Sequence, residues 1–225
     1  MGTGFREPYD LSQAEDNAVV AMLNGWSPDL ADEWNHGWGT AYLIQQSYFR
    51  NHRLIRLAIG RPPHDQSVEA ALDKFSKAIR LTGNLEALNA IAEGDPPAIG
   101  KDLQSRRAYI FICDETTSSL GPIEFQVDAF DEIPWLNDLT AEEQAKIQRL
   151  RQTLGRTIRP PIYEETDHGF CLSRWLMVSR KLIYRVTEVE TSGKVKRTDE
   201  THSVELPTYR GQVWGMVDGE LRFVG

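Results

Sequence analysis

A chain of 225 residues that is 40% hydrophobic and 26% charged can bury a sizeable core, which excludes a globally disordered chain. Its formal charge of −8 argues against a whole-surface grip on nucleic acid, so nucleic acid is not an expected partner. No run approaches the ~18 apolar residues of a membrane span, and membrane partners are not expected.

Met1-Gly2-Thr3-Gly4-Phe5-Arg6 lacks the apolar segment of a signal peptide, and Arg6 stands where myristoylation wants Ser or Thr. Asp10 or Ser12 can cap a first helix running to Leu23, with Asn24-Gly25 as its stop. Ser27-Pro28-Asp29 opens a short second helix reaching Trp34. From Trp38 to Ile59 the apolar content predicts a third helix, carrying Trp38, Tyr42, Gln45, Gln46 and Phe49 on one stripe and stopped by Gly60-Arg61-Pro62-Pro63. Val68, Ala71, Leu72, Phe75 and Ile79 fall at helical spacing and predict another, ended by Gly83. Asn84 then caps a short helix to Glu93, so that the two form an αα-hairpin before the break at Gly94-Asp95-Pro96-Pro97.

Ala108–Cys113 is a continuous apolar run of strand length and predicts a buried strand, followed by a polar loop over 114–119. Ile123–Val127 is a second strand. Thr140-Ala141-Glu142-Glu143 has the spacing of a capping box and starts a helix ending near Leu154 and Gly155. The sustained period-two patterning comes last. Phe170–Val178 and Leu182–Val189 alternate as strands, while 194–197 and 202–206 continue as weaker ones after the turn at Thr191-Ser192-Gly193-Lys194. Gln212–Val217 and Glu220–Val224 flank Asp218-Gly219 as a final hairpin, with Val213, Val217, Leu221 and Phe223 on one face.

These elements predict one α+β domain over 1–225: helix-rich to 100, a strand pair over 106–130, a helix over 140–154 and a meander over 169–225. The helical N-terminal layer is expected to pack on a mostly antiparallel β-sheet, built from the C-terminal third plus strands near 108–127.

Several groups are candidates for chemistry. Asp114 and Glu115 follow the expected buried strand, and Asp128, Asp131 and Glu132 follow its neighbour, so they are either solvated acidic loops or an acid–base or cation site. A hairpin linker of only 114–122 would hold the two sets apart. Asp167 beside His168 can orient the ring as a general base, or the pair is simply a turn before a strand. Cys113 and Cys171 lie in apolar runs and read as buried, inert free thiols of a reducing compartment rather than as a disulfide or a nucleophile, which places the chain in the cytoplasm. Trp34, His36 and Trp38 can line a pocket or an interface, or pack a helix. Arg149, Arg151, Arg156 and Arg159, with Lys146, can contact phosphate or serve a helix end.

No GxGxxG, P-loop, HExxH, GxSxG or Cys/His zinc pattern is present, so no metal is assigned and the cofactor is unknown. The leading expectation is a cytoplasmic binding or accessory protein that docks another protein, in one form an acidic inhibitor or immunity-type protein. The alternative is a hydrolase or transferase with a carboxylate/His site between helical layer and sheet, which leaves a small-molecule ligand open. A structural subunit or homo-oligomer with paired strand edges is the third.

Overall fold

The computed structural model describes residues 8–44, 48–60, 66–118, 123–178, 180–208, 214–217 and 220–223, with side chains omitted for 123–124 and 214–223. The chain is α+β, with antiparallel pairing throughout its described sheets. Its contacts fall into two compact units, one built mainly from Gly4–Ser119 with Ser192–Lys194, the other from Leu120–Thr191 and Val195–Gly225.

The first unit begins with α1 (Gln13–Trp26), where Ser12 and Glu15 close a capping box, and α2 (Pro28–Asn35), which starts on a proline. A four-stranded sheet follows, in the order β1 (Gly39–Leu43), β2 (His52–Ile59), β3 (Gln66–Asp73), β4 (Ala78–Arg80). On one face Ile55, Leu57, Ile59, Val68, Ala70 and Leu72 pack on Val19 and Leu23 of α1 and Leu30 and Ala31 of α2. Each fully buried aliphatic chain there contributes about 1.5–3 kcal/mol. Helices α3 (Leu85–Gly94) and α4 (Leu103–Thr117) complete the unit, the latter contacting β3.

Three expected elements are overturned here. The helix expected from Trp38 to Ile59 is two strands, β1 and β2. Ile55, Leu57 and Ile59 alternate with Leu54, Arg56 and Ala58, a period-two signal masked by the general apolar content. The helix expected over 68–79 is β3, a turn and β4, so the αα-hairpin expected from it and α3 does not form. In β3 five successive residues are buried because both faces are covered, and such a strand satisfies helical spacing equally well. The buried strand at Ala108–Cys113 is instead the middle of α4, whose start is fixed by Asp102 accepting from the Ser105 amide at 2.8 Å. Of the loop expected over 114–119, residues 114–117 are the last helical turn and Ser118 is its cap. Also, α1 runs through Asn24-Gly25 to Trp26, because the Ser27 amide still reaches the Leu23 carbonyl at 2.7 Å.

The second unit carries the C-terminal sheet. Its order is β5 (Ile123–Val127), β7 (Gly169–Val178), β8 (Lys181–Glu190), β9 (Val195–Ser203), with β6 (Ile162–Thr166) along the same edge of β7 as β5. The expected 123–127 strand therefore does join the C-terminal sheet, while β6 covers residues for which no element is expected from the sequence. The two weak runs at 194–197 and 202–206 are one strand, β9. Helix α5 (Ala141–Leu154) opens with the expected capping box at Thr140 and Glu143, and its Ile147 shares a core with Phe125, Val127, Trp175, Met177 and Leu182. β10 (Trp214–Val217) and β11 (Glu220–Phe223) pair as the expected final hairpin, with Val217 opposite Glu220. The Asp218-Gly219 turn, and the face expected from Val213, Val217, Leu221 and Phe223, lie outside the described residues and side chains.

One tight contact fixes how α2 meets β1. A methyl group added at Gly39 would lie 2.2 Å from the Trp34 ring, whose Nε1 donates to Asp16 at 2.8 Å. We expect Gly39→Ala to lower stability by about 1–3 kcal/mol in urea titrations, because the ring must move and lose its bond. An unchanged midpoint would show that the indole has room.

Candidate functional site

The strongest convergence of polar groups lies where β2 begins. Helix α3 ends at Gly94, Pro96-Pro97 cannot continue it, and Asp95 at the cap is turned inward, only 4% exposed. Its carboxylate accepts from the Asn51 amide at 2.7 Å, His52 Nδ1 at 2.9 Å, the Arg50 amide at 3.2 Å and Asn51 Nδ2 at 3.2 Å. Burial opposes ionisation of Asp95, but these donors outweigh it and hold the group below its ordinary range. An ionised carboxylate only accepts, so Nδ1 of His52 carries the hydrogen, and in the neutral ring the lone pair is at Nε2.

The neighbouring β3–β4 turn is equally well fixed. Asp73 Oδ1 accepts from the amides of Phe75 and Lys77, both at 2.8 Å, and the Asp73 amide donates to the Lys77 carbonyl at 3.0 Å. The Lys74 amide donates to the Asn51 carbonyl at 2.9 Å, tying the turn to the strand that carries His52. Ser76 takes a left-handed φ of 57° in this turn, next to the Phe75 ring. That ring is 74% exposed, with the Lys74 ammonium 5.2 Å from its centroid.

Between turn, strand and helix lies a cavity of about 380 Å³. Ile79, Ala87, Ala90 and Ile91 supply its apolar wall, and Asn51, His52, Asp73, Lys74, Phe75, Gly94 and Asp95 the rest. An apolar cavity with a few convergent polar groups is the usual form of a ligand site. None of these residues was singled out by sequence reasoning. Phe75 was counted into a helical stripe, and Asp95 into a Gly-Asp-Pro-Pro break. A signal did exist, since an acid between a helix stop and two prolines is a cap with a free carboxylate.

The sequence candidates are distributed elsewhere. Asp114 is fully buried on α4 rather than in a loop. Glu115, one residue on, pairs with Arg56 Nη2 at 2.5 Å, and Arg56 Nε binds Glu69 at 2.9 Å. Glu69 also accepts from the Thr82 hydroxyl at 2.9 Å. This chain of charges is a cross-link between β2, β3 and α4. Asp167 and His168 form the exposed turn between β6 and β7; the His168 carbonyl accepts from Thr191, and its ring has no hydrogen bond or ion pair among the described residues. Asp128 accepts from Gln126 Nε2, and Asp131 pairs with Arg151 at 2.6 Å.

Of the aromatic trio, Trp34 packs beside the α1/α2 core, while His36 stacks on the half-exposed Trp38 at 5.5 Å and takes its Nδ1 contact from the Asp32 carbonyl at 2.7 Å. Arg149, Arg156 and Arg159 are all exposed, Arg149 bonding back to the Ala145 carbonyl, and Lys146 serves the carbonyls of Val204 and Glu205. Cys113 and Cys171 form no disulfide; Cys113 is buried as expected, Cys171 only partly, and burial pushes the Cys171 thiol up, away from nucleophilic reactivity. Among the described residues no group of three His, Cys, Asp or Glu is arranged to hold a metal ion, and no helix is long and apolar enough to cross a membrane.

No known protein family, curated protein or solved structure matches the chain.

Asp95 has a consequence for stability. Glu15 is lowered in the same way: its burial is outweighed by the Ser12 amide and hydroxyl and by Arg53. Carboxyls lowered in the native state stabilise it above the ordinary range of pH ~4–4.5, and lose that contribution as pH falls through their lowered values. Urea midpoints should therefore fall steeply below pH ~4. Asp95→Ala should cost roughly 3 kcal/mol at pH 7, since four donors lose their acceptor, and should show a shallower acid loss. An unchanged acid slope in this variant would refute the assignment.

Proposed function

We propose that this chain is a binding protein that docks another protein through the β3–β4 turn and the cavity beside it. The observation that supports this reading is Phe75, a large ring held out in water by a turn whose own amides are satisfied by Asp73. Burying an exposed aromatic from a pre-formed turn costs little ordering entropy, which is the character of an interface anchor. The chain's charge of −8 favours a basic partner through complementarity. Cys113 and Cys171, which form no disulfide, fit a reducing, cytoplasmic compartment.

A photo-crosslinking residue placed at position 75, in the native cellular extract, should yield one discrete partner product. Excess unlabelled chain should suppress it, while Phe75→Ala should compete roughly 30-fold less well, the loss of a ~2 kcal/mol anchor. Identical products from a crosslinker at Val204, another exposed apolar side chain, would contradict an interface at this turn.

One observation favours a second reading, in which the same cavity is an active site of a hydrolase or transferase. An imidazole held at Nδ1 by a buried carboxylate is a usable general base at Nε2. On this reading His52 and Asp95 take the roles that sequence reasoning gave to His168 and Asp167. Turnover on an ester and phosphoester substrate panel should drop at least ~100-fold in His52→Gln; no turnover by the unaltered chain would remove this reading.

A further inference from the structure

We propose that the cavity beside Phe75 receives a lysine side chain of the partner protein. The inference rests on the docking reading above and specifies which side chain of the partner the cavity takes. The formal charges around the cavity are two carboxylates, Asp73 and Asp95, against one ammonium, Lys74. It also lies at the C-terminal end of α3, the negative end of the helix dipole, where Gly94 forms part of its lining. Asp95 is saturated by its four donors and acts by charge alone. Asp73 has one oxygen engaged by the turn amides, which leaves the other as an acceptor.

The aromatic face already holds a cation. Lys74 sits over the Phe75 ring, and its side chain is exposed and can swing away when another ammonium arrives. The rest of the wall, Ile79, Ala87, Ala90 and Ile91, is apolar and suits the four-methylene stem of a lysine better than a compact cation. A carboxylate-bearing guest meets the wrong sign of charge, and a purely apolar guest leaves Asp73 and His52 facing it without a donor.

The test uses n-hexylammonium as the probe, with hexan-1-ol and hexanoate as controls of the same length, titrated into the full chain and followed by amide shifts in ¹H–¹⁵N spectra. Hexylammonium should move the amides of residues 51, 52, 73–75, 94 and 95 and saturate at least fivefold tighter than either control. Asp73→Asn keeps an oxygen for the turn amides, so it should weaken hexylammonium roughly fivefold and leave hexanol unchanged. Lys74→Gln removes the competing ammonium and should tighten it. Equal binding of hexanol, or tighter binding of hexanoate, overturns the lysine inference while leaving the Phe75 interface standing. No shift at these residues with any probe overturns the cavity as a recognition site, and the crosslinking result at position 75 then decides the docking reading by itself.

Discussion

The buried carboxylate of Asp95 is the constraint on which the candidate site depends. It gathers two backbone amides, a side-chain amide and an imidazole from three successive residues, 50 to 52. Those residues open β2, and β2 is an inner strand of the four-stranded sheet. One anion therefore fixes three things together: the end of α3, the start of an inner strand and the ring orientation of His52. Taking it out of water is costly, and four donors are what offset that cost. The Lys74 amide on the Asn51 carbonyl passes the same constraint to the β3–β4 turn. The cavity wall and the exposed Phe75 are thus held by one connected set of bonds.

Elsewhere the unit uses charge in the same economical way. Arg56, central on β2, is bracketed by Glu69 from the next strand and Glu115 from α4. Burial alone would favour the neutral guanidine, but the two carboxylates outweigh it and raise the group further, so the charge is secured. Arg53 meets Glu15 and Tyr9 toward α1. Opposite faces of one strand are in this way tied to helices on either side. These groups are committed to the fold, which distinguishes them from Asp73, with one oxygen engaged by the turn, and from the Lys74 ammonium beside the cavity.

The legible parts of the sequence were those where a local rule had no competitor. The cap expected at Asp10 or Ser12 and found at Ser12, the capping box at Thr140, the Asn84 cap and the alternating strands at 170–178 and 182–189 all depend on neighbours within a few residues. The N-terminal half misled where periodicity is degenerate. In β3, Val68, Ala71 and Leu72 are buried because the strand is covered on both faces, and burial on every side erases the period that separates strand from helix. The same degeneracy turned the middle of α4 into an expected strand. The site was hidden for a different reason. His52 and Asp95 are 43 residues apart, and their meeting is a product of the sheet's register and the end of α3. The aromatic and acidic residues that stood out locally, such as Trp34 and Asp114, were conspicuous because they are packed or buried.

The most direct measurement is a long-range ¹H–¹⁵N spectrum of the histidine rings, recorded at a pH where His52 is neutral. If Asp95 holds the ring as described, His52 shows the Nδ1–H tautomer as a single fixed species, and Asp95→Asn abolishes that preference. An Nε2–H tautomer, or an average of the two, would mean that Asp95 does not orient the ring, and the constraint from which the cavity is built would be wrong.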